Sequence, residues 1–166
     1  LSTMANGELD AVARRAKDLD LDLEIGMRGA SPENLRKHLS IAASLEAGIL
    51  RVVLSASGWE PSFQEQFDIL ESFLPKLEKT GTTLAIENHF AYSPEELRKM
   101  ITNIDSPYIG CCLDPVNSIS RLIGPQSIIS TLVDLSVTAH AKDARAVRSN
   151  TGFYVFGCPL GEGLVD

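Results

Sequence analysis

The sequence has little of what defines several large classes of protein. Only 6% of its residues are aromatic, and its three cysteines include an adjacent pair, Cys111 and Cys112. An odd number of cysteines without regular spacing does not form a disulfide framework and favours a reducing compartment. The longest apolar runs, such as Gly48 to Leu54, are too short to span a bilayer, and the first residues lack the basic start and apolar core of a signal peptide. We therefore expect a cytoplasmic protein without a membrane partner.

Positive charge is also scarce. The chain has 15 Lys and Arg against 22 Asp and Glu, which gives a net charge of −7. Nucleic-acid backbones demand clustered cations because counterion release drives that binding, whereas the basic residues here are scattered. Nucleic acid is therefore not expected as a main partner. The remaining composition, 44% hydrophobic and 22% charged over 166 residues, is typical of one globular domain.

What the sequence does contain is a repeated strand–helix unit. Ser31-Pro and Ser93-Pro each place a capping serine before a first-turn proline, which is typical of a helix N-terminus. The predicted strands are Leu19–Met27, Ile49–Ala56, Thr82–Asn88, Tyr108–Asp114 and Val137–Lys142. The predicted helices are Glu8–Lys17, Pro32–Ala47, Pro61–Lys79, Pro94–Asn103 and roughly Ser118–Leu135. Strands that alternate with helices predict a parallel sheet connected by right-handed crossovers.

Two architectures fit this alternation, an open sheet and an incomplete (β/α)₈ barrel, since a full barrel typically needs ~250 residues. The side-chain parity favours the barrel. If Glu87 points inward, Ala85 shares its face while Leu84 and Ile86 face the helices. Small inward residues suit a narrow barrel interior, whereas an open sheet is covered by helices on both faces and favours larger residues on each.

Three of the predicted strands carry an ionisable residue at or near the carboxyl end. These are Glu87, Asp114 and His140, separated by 27 and 26 residues, one strand–helix unit each. Because neighbouring strands lie about 4.8 Å apart, three inward side chains at the same height converge. Two carboxylates and an imidazole suit Mn²⁺, Mg²⁺, Zn²⁺ or Co²⁺. The alternative is that all three are ordinary polar strand ends that face solvent.

Four short motifs resemble, in order and spacing, the xylose-isomerase-like TIM-barrel superfamily, which includes sugar epimerases, inosose dehydratase-like enzymes and endonuclease IV relatives. The motifs are Ile86-Glu-Asn-His, Cys112-Leu-Asp-Pro-Val-Asn, His140-Ala-Lys-Asp and Pro159-Leu-Gly-Glu-Gly. The resemblance implies an α/β fold, a (β/α)₈ TIM barrel. This chain, residues 1–166, would be a single-domain part of that barrel covering roughly strands three to seven.

The resemblance also implies a site and an activity. Glu87, Asp114 and His140 match the family's metal ligands on strands five to seven, and a fourth ligand, a Glu on strand eight, is expected beyond Asp166. Glu87 would also be catalytic, moving a proton in an isomerase or epimerase that acts on a small sugar or sugar-like hydroxy-ketone. The alternatives are a dehydratase of the inosose or dehydroshikimate type and a non-catalytic sugar-binding barrel. An endonuclease IV-like role is disfavoured because the chain has only three histidines and a net negative charge.

Four further residues are predicted to contact the substrate: His89, Asn117, Lys142 and Arg145. Asn117 stands where many relatives carry His, and Arg145 resembles a basic substrate contact of the epimerases. For each of the four, the alternative is a solvated loop residue. The expected partner is the small sugar-like substrate, and the sequence leaves a homo-oligomer open.

Overall fold

A computed structural model describes Met4 and residues 6–165 of the chain. The α-helices are α1 (Asn6–Asp18), α2 (Pro32–Ser44), α3 (Phe63–Ser72), α4 (Leu74–Thr80), α5 (Pro94–Ile104) and α6 (Pro125–Leu132). The strands are β1 (Glu24–Arg28), β2 (Ile49–Val53), β3 (Thr83–Glu87), β4 (Ile109–Leu113), β5 (Ser136–Ala139), β6 (Asp143–Ser149) and β7 (Gly152–Cys158). Two 3₁₀ segments span Asn117–Arg121 and Val133–Leu135. Among the helices described, none is long and apolar enough to cross a bilayer.

The first five strands form one sheet in the order β1-β2-β3-β4-β5. β1 pairs with β2 in parallel from Glu24, opposite Ile49, to Arg28, opposite Val53. β2 and β3 pair in parallel as well, and so do β4 and β5. Parallel neighbours need a long crossover connection, which the intervening helices provide. The predicted parallel α/β architecture is confirmed.

The chain divides into two compact units. The first runs to Ile86 and also takes in Ile104–Gly110. Its core consists mainly of leucines with no exposed surface, and burial of such a side chain contributes about 1.5–3 kcal/mol relative to an exposed one. They are Leu35, Leu39, Leu50, Leu70, Leu77 and Leu84.

The second unit comprises Glu87–Asn103 and the chain from Cys111 onward. Its buried apolar side chains come mainly from β4, α5 and α6, and include Leu97, Met100, Ile128 and Leu132. Arg98 on α5 donates to the Thr131 carbonyl on α6 and forms a two-point pair with Asp134, at 2.7 and 2.8 Å. This bidentate geometry fixes α5 against the end of α6.

Two of the predicted helices are wrong as single elements, and proline is the reason in both cases. The stretch predicted as Pro61–Lys79 forms α3 and α4, separated at Phe73. Pro75 has no N–H to continue the α3 hydrogen-bond ladder, so a new helix begins at Leu74 with Pro75 in its first turn. The stretch predicted from Ser118 is a 3₁₀ segment followed by α6, which begins at Pro125 after Gly124.

The hairpin of β6 and β7 was not predicted. Its strands pair antiparallel from Asp143, opposite Cys158, to Ser149, opposite Gly152, and the preceding strand ends at Ala139 rather than Lys142. β7 is exposed over all but its last residue. A strand is recognised in a sequence by alternating apolar and polar residues, which arise when one face is buried. A hairpin that is exposed on both faces lacks that alternation. The turn residues at 149–152, directly ahead of the apolar run Phe153–Phe156, were the available signal.

Candidate metal centre

The three predicted ligands meet at the carboxyl ends of three strands of the sheet. Glu87 is the last residue of β3, Asp114 directly follows β4, and His140 directly follows β5. One donor atom from each lies within 4.8 Å of the other two. His140 Nδ1 is 3.2 Å from Asp114 Oδ2 and 3.9 Å from Glu87 Oε1. All three residues belong to the second compact unit, so the cluster is formed within that unit.

The cluster is buried on its carboxylate side and open on its imidazole side. Asp114 has no exposed surface and Glu87 is 8% exposed, whereas the His140 side chain is 34% exposed. Two carboxylates taken out of water at this separation repel each other and have lost their hydration. They therefore need a positive charge, either from the protein or from a bound cation.

Asn88 clamps the ends of β3 and β4 together. Its Nδ2 donates to the Asp114 carbonyl and its Oδ1 accepts from the Asp114 N–H, each at 2.7 Å. The side chain thus makes the two bonds that a paired backbone residue would make, just where the strands end. Asn88 is only 1% exposed, so water does not compete for these bonds. They fix the backbone that carries Asp114.

The two oxygens of Asp114 have different partners. Oδ1 accepts from the backbone N–H groups of Val116 and Asn117, at 2.9 and 3.0 Å. Oδ2 faces His140 and Lys142, whose Nζ lies 2.5 Å away. Burial by itself raises the pKa of the Asp114 carboxyl, but the hydrogen bonds from Lys142, the Val116 amide and His140 outweigh burial and hold that pKa below its usual value.

Asn117 links the two carboxylates. Its Nδ2 donates to Glu87 Oε1 at 2.8 Å and to the Asn88 carbonyl at 3.2 Å, while its Oδ1 accepts from Lys142 Nζ at 3.1 Å. Of the four predicted substrate contacts, Asn117 and Lys142 are therefore joined directly to the ligand cluster. Whether either touches a substrate stays a prediction.

The other two predicted contacts lie in different surroundings. The His89 ring, half-buried, packs at 53° to the Phe90 ring with centroids 4.1 Å apart. Arg145 on β6 donates to the Glu162 carbonyl from Nε at 2.7 Å and to Glu162 Oε2 from Nη2 at 2.8 Å. Its charge is thus engaged by a neighbouring loop. Substrate contact by His89 and Arg145 stays a prediction.

Asn88 and Asp143 both lie inside the quoted motifs, although no role was predicted for either. Asp143 is 3% exposed, and its carboxylate accepts from the N–H groups of Ala144, Gly163 and Val165. A Cβ added at Gly163 would collide with Asp143 Oδ1 and the Ala144 carbonyl. This explains why the Pro159-Leu-Gly-Glu-Gly motif has glycine there: the backbone wraps the Asp143 carboxylate.

The donor set fits a divalent cation. Two atoms that each lie about 2.1 Å from one ion are at most about 4.2 Å apart. The distances from His140 Nδ1 to Glu87 Oε1 and to Asp114 Oδ2, 3.9 and 3.2 Å, are both below that limit. Carboxylate and imidazole donors suit Mn²⁺, Mg²⁺, Zn²⁺ and Co²⁺. Glu87, Asp114 and His140 could therefore hold a metal ion.

Comparison with known proteins gives the same fold. The model of the family described as xylose isomerase-like TIM barrel matches residues 21–166. The chain belongs to the xylose isomerase-like TIM-barrel family. The resemblance and the barrel architecture inferred from the four motifs are thereby confirmed, with this chain forming part of the barrel. The proteins that this chain resembles include a 3-oxo-isoapionate decarboxylase and, by fold, a D-psicose 3-epimerase.

Two curated relatives match nearly the whole chain. The 3-oxo-isoapionate decarboxylase of Pectobacterium atrosepticum is 30% identical over 168 residues, covering 100% of this chain and 61% of the relative. The uncharacterised protein YihM of Escherichia coli is 23% identical over 167 residues, covering 98% of this chain and 50% of the relative. This family member thus spans between half and two thirds of the length of these relatives.

Solved structures share the fold at low identity. A xylose isomerase domain protein from Planctomyces limnophilus has a TM-score of 0.77 at 14% identity, covering 96% of this chain and 67% of that structure. A xylose isomerase-like TIM-barrel protein from Mycobacterium smegmatis in complex with magnesium has a TM-score of 0.75 at 16% identity, with coverages of 99% and 66%. The magnesium complex shows that one protein of this fold binds a divalent cation.

Proposed function

We propose that the protein containing this chain is a divalent-metal-dependent isomerase or epimerase that acts on a small sugar-like hydroxy-ketone. The observation that supports this most is the convergence of Glu87, Asp114 and His140 at the carboxyl ends of three parallel strands. TIM-barrel enzymes place their active sites at that end of the barrel. Membership of a family that includes sugar epimerases adds to this support.

Each residue has a chemical role in this proposal. When bound, a divalent ion supplies a Lewis acid that polarises the substrate carbonyl and acidifies the adjacent C–H bond. Asp114 and His140 act as ligands, and Glu87 is both a ligand and the base that takes the proton from that carbon. Asn117 orients Glu87 through its bond to Oε1. The 8% exposure of Glu87 limits the water that would otherwise compete for the proton.

The test uses the full-length protein, stripped of metal with a chelator and reloaded with Mn²⁺ or Mg²⁺. Ketoses are incubated with it in D₂O, and deuterium entry at the carbon next to the carbonyl is followed by NMR. We expect exchange only with metal, and none for Glu87→Gln or Asp114→Ala. Glu95→Gln, on the exposed surface of α5, is the matched control and should exchange like the wild type. A wild-type protein that binds no divalent ion would refute the proposal.

A second candidate is decarboxylation of a sugar-derived 3-oxo acid. The 30% identity to a 3-oxo-isoapionate decarboxylase across the whole chain favours it. The same site suits this reaction, because loss of CO₂ leaves the bonding electron pair on carbon, conjugated with the carbonyl, so negative charge develops on the carbonyl oxygen. A proton from solvent then replaces the carboxyl group. This reaction needs the ligands, but the first step needs no base.

Glu87 separates the two candidates. Under proton abstraction, Glu87→Gln abolishes turnover even in protein that is fully loaded with metal. Under decarboxylation, metal-loaded Glu87→Gln keeps measurable CO₂ release from a 3-oxo sugar acid, while Asp114→Ala, which loses the metal, does not. CO₂ release by the wild type without deuterium exchange into ketoses would favour the decarboxylase over the isomerase.

A further inference from the structure

Lys142 contacts the ligand cluster rather than only standing near it. Its Nζ lies against Asp114 Oδ2, at 2.5 Å, and donates to Asn117 Oδ1 at 3.1 Å. Its side chain is 41% exposed, whereas the Asp114 side chain has no exposed surface. The ammonium therefore has a route to solvent that the carboxylate does not have.

The oxygen that Lys142 contacts is also the one a metal ion would use. Asp114 Oδ1 already accepts two backbone N–H groups from Val116 and Asn117. Oδ2 is the atom that faces His140 Nδ1. An ammonium and a divalent cation at the same carboxylate oxygen repel each other, and the full burial of Asp114 weakens the screening of that repulsion by water.

From these contacts we infer that Lys142 is the counter-cation of the metal-free site, and that it leaves Asp114 when a divalent ion binds. This inference rests on the proposed metal site and adds a regulatory element to it. Without metal, the Lys142 ammonium compensates the buried carboxylate of Asp114. With metal, the ion takes over that role and the flexible side chain extends to solvent.

Lys142→Met tests the inference, since it keeps most of the aliphatic length and removes the charge. In full-length, metal-stripped protein, Mn²⁺ affinity is measured by calorimetry and thermal stability by melting with chelator and with saturating Mn²⁺. We expect affinity to rise roughly tenfold, as removal of a like charge a few ångströms from the ion implies. The metal-free melting temperature should fall, and the Mn²⁺-saturated one should stay near that of the wild type.

Two further variants complete the design. Arg148→Met removes a cation from the exposed surface of β6, so it matches the change in net charge and should alter neither measurement. Lys142→Arg keeps a cation and should preserve the metal-free melting temperature. If Lys142→Met does not fold with or without metal, Lys142→Gln replaces it in both measurements.

The outcomes distinguish this inference from the proposed function. Mn²⁺ affinity and metal-free stability that are unchanged in Lys142→Met, in a wild type that binds Mn²⁺, would overturn the counter-cation role and leave the metal site standing. That result would fit a lysine that contacts only substrate. A wild type that binds no Mn²⁺ would overturn the metal site and the counter-cation role together.

Discussion

Replacing Asn88 by alanine removes both hydrogen bonds that join the end of β3 to the backbone of Asp114. The bonds are 2.7 Å each, and the two residues are 1% and 0% exposed. A buried N–H or C=O that loses its partner costs about 1–3 kcal/mol, so the two groups left at Asp114 predict a loss of about 2–6 kcal/mol in the free energy of unfolding. Domains of this kind have only about 5–15 kcal/mol in total.

The same change should weaken metal binding, because Asn88 holds the backbone of a ligand without being a ligand itself. Loss of such a supporting contact typically lowers metal affinity by about 10–100-fold. Urea denaturation of the metal-free, full-length protein measures the first effect, and Mn²⁺ titration measures the second. Asn103→Ala, at an exposed position of α5, is the matched control and should change stability by at most about 0.5 kcal/mol.

A destabilisation by Asn88→Ala of less than about 1 kcal/mol would refute this reasoning, since it would mean that water or a backbone shift satisfies the groups left at Asp114. Full stability combined with lost metal binding would show that Asn88 acts on the site alone. A large loss of stability with unchanged Mn²⁺ affinity would show the reverse, that the clamp supports the fold and not the ligand.

Two other predictions follow from buried acidic groups. Burial raises the pKa of Asp143, but the N–H groups of Val165, Ala144, Gly163 and Leu164 outweigh it and hold that pKa below its usual value, so wild type should be more stable than Asp143→Asn at neutral pH. The difference in unfolding free energy should narrow as the pH falls below about 3.9 and then through the lower pKa of the folded state. A difference that stays constant from about pH 7 to about pH 2 would contradict this. Burial, and then the neighbouring Cys112, raises the pKa of Cys111 to about 12, so a maleimide at about pH 8 should label Cys111 only after unfolding. Labelling in the native protein, located by mass spectrometry, would show that the β4 thiol is accessible.

Local signals were enough to predict the strand–helix order and most helix starts. The serines before α2 and α5 were predicted as caps, and both side chains accept a backbone N–H three residues on, at 3.3 Å for Ser31 and 3.2 Å for Ser93. Capping depends on residues a few positions apart, so it is readable from the chain. The division of one predicted helix at Phe73 also has a local signal, because Pro75 lies in the first turn of α4.

The exposed hairpin shows where sequence patterns fail. Phe153, Tyr154 and Phe156 are large aromatic residues of the kind expected to be buried, yet they are 47%, 66% and 47% exposed. Burial periodicity identifies a strand only when one face is covered. Similarly, Val137 on β5 is apolar and yet 43% exposed.

The sequence by itself determined that Glu87, Asp114 and His140 end successive strands, because strand periodicity and unit spacing are local properties and parallel strands finish at one edge of a sheet. Only the tertiary structure decided what surrounds them. Asn88 reaches Asp114 across 26 residues, and Lys142 reaches the same residue across 28. No local pattern encodes which oxygen of Asp114 meets backbone amides and which meets a cation, because those contacts depend on the strands being packed side by side.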